Sequence, residues 1–214
     1  MKRLIKKELT LNWKWYNYLL FLFPVLLLVP NYPLFNGMIY VFLFATTLFP
    51  SFAVNGDYQF LSSLPVRRKD IVASKFFDIL FGQLGTLIIA IPVLAVKAFL
   101  LDGEGNTLMD PNTAFVGMIL FDYAVFVLAF FPAYFTELKF PKAFLIALLL
   151  FMVSAALLEL LVQFITPLRV ALDSLDRKYL PYRLLVLFIG LISYIGSIIL
   201  SFRLACKRFS RYTM

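Results

Sequence analysis

Lys97, Asp122, Glu159 and Gln163 stand inside stretches otherwise built from apolar residues. Charge at the centre of a bilayer costs about 2.5–3.5 kcal/mol on insertion scales, so such groups turn toward protein or water. At about 1.5 Å per helical residue, Asp122 lies roughly 15 Å, and Glu159 roughly 9 Å, from the outer end of its apolar run. Gln163 shares the face of Glu159 one turn on. Lys97 comes at a depth comparable to Glu159 and is expected to pair with it. Two roles fit these side chains: protonated or hydrogen-bonded structural groups, or a polar patch along a substrate path. A hydrolytic pair does not fit, because the rest of the machinery is missing. The chain has no histidine, which removes Ser-His and Cys-His triads, HExxH zinc sites and histidine relays. Its single cysteine, Cys206, allows neither an intrachain disulfide nor a thiolate metal cluster.

The elements that must position these residues are membrane helices. Of the 214 residues, 62% are hydrophobic and 15% charged. Mean hydropathy is +0.89. A soluble domain is about 45–50% apolar and about 25% charged, so soluble and disordered chains are excluded. A span of about 30 Å of hydrocarbon takes roughly 20 apolar residues. Six runs approach or exceed this: Tyr16–Val29, Leu34–Val54, Phe76–Leu101, Asn112–Phe135, Ala143–Ile165 and Tyr182–Ala205. Pro24, Pro50, Pro92 and Pro132 lie within them, as membrane helices tolerate. The first run follows a basic segment, as a signal peptide would. No small-residue cleavage site follows it, so a retained span is expected. The expected fold is a single all-α membrane domain over residues 1–214 with six transmembrane helices.

Lys and Arg placement sets the orientation. With the N-terminus cytoplasmic, one side carries Lys2, Arg3, Lys6, Lys7, Lys14, Arg67, Arg68, Lys69, Lys75, Lys139, Lys142, Arg203, Lys207, Arg208 and Arg211, which is 15 of the 20 basic residues. The other side carries Lys97, Arg169, Arg177, Lys178 and Arg183. Both termini are therefore expected inside, with the acidic loop Asp102–Asp110 outside. The net charge of +8 is read as this topology signal, and no nucleic-acid partner is expected.

Residues 1–15 read as an amphipathic helix in the membrane interface. Ile5, Leu9, Trp13 and Tyr16 form an apolar stripe opposite Lys2, Arg3, Lys6, Lys7, Thr10 and Lys14. The segment 55–75 joins the second and third spans. Asp57–Ser63 has the length of two helical turns, with Phe60, Leu61 and Leu64 on one side, and Pro65 stops it. Val66-Arg67-Arg68-Lys69-Asp70 then opens a helix that runs into the third span. A short helix braced at the cytoplasmic face is the shape needed to take a push from a motor protein; a plain positive-inside loop is the other reading. In the loop 166–181, Leu168, Leu172 and Leu175 lie on one face.

The run of an acidic residue, then Leu64-Pro65-Val66-Arg67, then Ile71-Val72-Ala73-Ser74-Lys75 resembles the permeases of type-2 ATP-binding-cassette exporters. Asp57 stands where that family usually carries glutamate. Six spans, a leading amphipathic helix and both ends inside agree with the resemblance. Length and sequence look most like the small permeases of phenol-soluble modulin exporters of Gram-positive bacteria. The resemblance implies an ATPase-coupling role for Asp57, Phe60, Leu61, Leu64, Arg67, Arg68 and Lys69. It also implies outer helices over 166–181 that cap the exit, and residence in the bacterial plasma membrane.

No GxxxxGK[S/T] loop occurs, so this chain lacks the usual phosphate cradle. The resemblance places ATP and magnesium in a separate cytoplasmic ATPase subunit and leaves this chain without catalysis or cofactor. A second copy or a sister permease would complete the pathway, with membrane lipid around it. The cargo expected is amphipathic or hydrophobic: a peptide toxin, an antimicrobial peptide or a lipid-like drug. A proton-coupled carrier using Asp122 or Glu159 is the rival, and a lipid-interacting sensor subunit another; the inverted repeats that would favour a carrier are not seen.

Overall fold

The computed structural model describes residues 2–29, 32–100 and 109–211. Residues 102–108 of the acidic loop lie outside the described residues. No strand occurs among the described residues, as expected where a bilayer leaves backbone groups only internal partners. In chain order the helices are α1 (Lys2–Lys7), α2 (Trp15–Leu19), α3 (Leu34–Ile39), α4 (Leu43–Val54), α5 (Asp57–Ser63), α6 (Arg68–Leu100), α7 (Thr113–Glu137), α8 (Phe140–Phe164), α9 (Thr166–Leu172) and α10 (Leu180–Arg211). Five helical stretches are long and apolar enough to cross a membrane; the sixth, Trp15–Leu28, is shorter. The chain is an all-α multi-pass membrane protein.

That shorter stretch is stretched as well. After α2 the chain continues as a 3-10 helix over Leu20–Leu28, with Pro24, which has no N–H for an α ladder, at its middle. At about 2.0 Å per 3-10 residue and about 1.5 Å per α residue, it covers roughly 25 Å.

The bundle is built around α7, which is apolar and buried almost all round. Its closest neighbour is α10. Where they cross, Gly190 lies on the Gly117 carbonyl, and a Cβ at Gly117 would fall 2.6 Å from the Leu187 backbone nitrogen. The Ser201 hydroxyl donates to the Val127 carbonyl at 2.8 Å, tying the same pair. Aromatic rings fill the space between α4, α6 and α7. Phe49 meets Phe52, Phe130 and Tyr134 edge-on, and Phe76 stacks on Phe131. By contrast α8 buries mainly Ala143, Ala147, Phe151 and Ala155, one turn apart, and leaves Leu145, Leu149, Met152 and Val153 outside.

The N-terminal stripe differs from the expected one. The chain winds as α1 and then a π-helical turn over Glu8–Asn12, and the inward face carries Leu4, Glu8 and Asn12. Ile5 and Leu9 are half-buried and Tyr16 is exposed. An inward acid outweighs the apolar residues because it finds an ammonium partner there.

Candidate functional site

At the end of the bundle where α4 returns through α5 to α6, four charged side chains meet. Gly56, at φ +62°, turns the chain into α5 from the left-handed region that glycine enters without cost to a Cβ. This aims Asp57, the first residue of α5, at the interior. Lys75 lies two turns into α6, wholly buried, and points back. Its Nζ donates to Asp57 Oδ2 at 2.6 Å and to Glu8 Oε1 at 2.9 Å. Lys7 reaches the other Asp57 oxygen, and the Asn12 amide donates to the other Glu8 oxygen. The Lys75 ammonium also sits 3.3 Å from the centre of the Phe52 ring, a cation–π contact.

Two carboxylates and two ammoniums balance, and both acids spend both oxygens. Burial opposes the charge of Asp57, yet Lys75 and Lys7 hold its carboxyl below the ordinary aspartate value. A buried pair is strong evidence of connection rather than of stability, because desolvation offsets much of its attraction. What the cluster does is join three segments: the π turn after α1, the start of α5, and α6. One turn further along α6, Asp78 accepts from the Trp13 indole at 2.9 Å, adding a second link to the N-terminal segment.

Of the residues the sequence singled out here, Asp57 is central and buried. The expected apolar knob is divided. Leu61 is turned into the core at 1% exposure, while Phe60 at 57% and Leu64 at 39% stay outside. Leu61 follows Phe60 by about 100° around a helix, so only one of the two can face outward. A groove of about 530 Å³ runs between α1 and α5, lined by Leu4, Lys7, Phe60, Leu64 and Arg67. Arg67, Arg68 and Lys69 are exposed at the start of α6. Arg68 donates to the Ser210 carbonyl of α10 at 2.9 Å, tying the two helices.

On sequence alone Glu8 is not singled out, and Lys75 stands only as the last residue of the Ile71–Lys75 run. The signals were present: Leu4, Glu8 and Asn12 recur every four residues, and Lys75 interrupts the run Ile71-Val72 to Phe76.

The buried polar residues within the spans do not form one site. Asp122 on α7 is fully buried and accepts from Ser154 of α8; its Oδ2 has no hydrogen-bond partner among the described residues. Glu159 and Gln163 lie toward the opposite end of the bundle. Gln163 donates to Asp173 at 3.0 Å, and Asp173 also accepts from the Asp110 backbone at 2.7 Å. Burial pushes the Asp173 carboxyl up. The expected Lys97–Glu159 pair is absent among the described residues. Lys97 instead donates to the Val29 carbonyl at 3.2 Å. The reason is packing: α8 lies on α7, whereas α6 lies on the Leu20–Leu28 segment and α10. The loop leucines also part company, with Leu172 buried and Leu168 exposed. There the Asn112 side chain caps α7 and also donates to the Leu172 carbonyl at 2.7 Å, pinning α9 to the bundle. No group of acids and cysteine suited to a metal ion occurs among the described residues.

No curated protein and no solved structure matched the chain. One family model did, over residues 3–208, which take in every described helix from the second residue of α1 to near the end of α10, and its description is "ABC-2 family transporter protein". With its stack of apolar helices and the charged joint at one end, the chain belongs to the ABC-2 family of transporter proteins.

Proposed function

We propose that this chain is the permease subunit of an exporter for an amphipathic or hydrophobic substrate, driven by a separate ATPase that docks on α5. The observation that carries the reading is the charged joint. Asp57 begins the helix that presents Phe60, and its carboxylate grips Lys75 of a helix 33 residues long. A load on α5 therefore passes to α6 without crossing a flexible loop. ATP and magnesium belong to the partner subunit. Phe60 and Leu64 are the anchors, since apolar side chains that fill a pocket carry most interface energy. Arg67 and Lys69 stand at the rim, where charge steers docking. The exposed apolar faces of α8 and α10 are left for lipid and for a second permease copy. The end carrying α5 faces the cytoplasm, with both termini.

Polar contacts for the substrate belong to Asp122, Glu159, Gln163 and Lys97 in this reading, reached when the spans part during transport.

The test is binding of the cognate ATPase to the purified permease in lipid. Phe60→Ala with Leu64→Ala should weaken binding roughly thirtyfold, the equivalent of about 2 kcal/mol, with insertion and expression unchanged. Unchanged binding would place the docking surface elsewhere.

A further inference from the structure

A second groove, of about 600 Å³, lies beside the first, between the opening turn of α6 and the last turns of α10. Arg67, Arg68 and Lys69 line one wall, and Arg203 and Lys207, one turn apart, line the other. Arg67, Lys69, Arg203 and Lys207 have no carboxylate partner among the described residues, and no acid among the described residues lines the groove. The wall between the cations is apolar: Phe202 and Cys206 line it, and Phe202 is braced edge-on against Phe76. Phe202 and Cys206 continue a stripe that begins with Ile195 and Ile199, both about half exposed on the outer face of α10. Spacings of four, three and four residues keep all of them on one helical face.

We infer that this groove binds the headgroup phosphate of an anionic phospholipid, with an acyl chain lying along the Ile195–Phe202 stripe. Five cations brought together with no acid among the described lining residues repel one another and call for an anion. At 33 and 32 residues, α6 and α10 exceed the roughly 20 that cross the hydrocarbon, which would set their ends, and the groove between them, near headgroup depth. A free phosphate would satisfy the charges but would gain nothing from the apolar track. An acidic protein surface would do likewise, and the track favours lipid over both. Bound there, the lipid would bridge α6 and α10 beside the Arg68–Ser210 tether. The inference rests on the chain crossing a bilayer and not on where an ATPase docks.

The experiment is native mass spectrometry of the full purified chain, titrated with palmitoyl-oleoyl phosphatidylglycerol and, separately, with phosphatidylcholine of the same chains. Wild type should retain phosphatidylglycerol preferentially. Arg203→Gln with Lys207→Gln should weaken that binding about thirtyfold, from two lost cation attractions. The swap Arg203→Lys with Lys207→Arg should keep it, which separates loss of charge from loss of folding. Lys139→Gln with Lys142→Gln, the same charge change at the start of α8, should bind as wild type. Equal retention of both lipids would overturn the inference. So would undiminished phosphatidylglycerol binding in the Arg203/Lys207 glutamine variant, or an equal loss in the Lys139/Lys142 control. Displacement of the lipid by inorganic phosphate at equal concentration would show a free-phosphate site instead. If the glutamine variant keeps its lipid but loses the ATPase, the groove is a protein docking surface and the inference fails.

Discussion

Lys75 is an ammonium with no exposure, held by two carboxylates and an aromatic ring. Removing it leaves Asp57 and Glu8 buried and facing each other with one cation fewer. Breaking a buried pair by deleting one partner costs about 3–5 kcal/mol. Lys75→Ala should therefore lower the melting temperature in detergent markedly, while Lys69→Ala, an exposed cation on the same helix, should barely change it. Equal melting of the two variants would show that the cluster bears no load. The acid limb gives a second check. Asp57 titrates below its ordinary value in the folded protein, so its charge stabilises the fold above that value. The contribution is lost as pH falls through the folded pKa. Thermal stability should drop below about pH 4, and Asp57→Asn should flatten that part of the profile. A profile identical in the two proteins would exclude Asp57 as its source.

At the level of the helices, α5 was legible in the sequence from its two turns of length and from Pro65, which follows the last turn. The left-handed entry at Gly56 comes from the structure. Gly56→Ala places a Cβ in that conformation at a cost of about 1–2 kcal/mol and should re-aim α5. Loss of ATPase binding with insertion intact is the expected result, read by co-purification; full binding would mean that the aim of α5 does not matter. Which side of α5 faces inward was not legible. Phe60 and Leu61 are adjacent apolar residues, and hydrophobic pattern alone does not rank them. What decides is Asp57: once its carboxylate meets Lys75, Leu61 follows it one turn on into the core. The Lys97–Glu159 pairing failed for a related reason. Depth along a span was readable from residue counts, but the neighbour of each helix was not, and α6 and α8 lie on different partners. The 3-10 winding of Leu20–Leu28 was also hidden, because an apolar run has the same composition in either helix.

Taken whole, the molecule is asymmetric along the bundle axis. One end gathers the N-terminal segment, α5, the start of α6 and the end of α10, bound by the Lys75 cluster and the Arg68 tether. The other end holds α9 against the start of α7 through Asn112 and Asp173. Composition alone made the membrane class and the six apolar runs legible; the joint needed long-range contacts, since Glu8 and Lys75 are 67 residues apart. The proposed exporter would separate docking from transmission, since Phe60 lies outside and Asp57 inside the same helix. That separation is most directly measured by comparing ATPase binding and ATP-driven transport in one reconstituted variant, Asp57→Asn. Binding at the wild-type level with transport largely lost is the expected result, because buried Leu61 still holds α5 with Phe60 outward while the charged link to Lys75 is lost. Wild-type transport by folded Asp57→Asn protein would contradict transmission through the cluster.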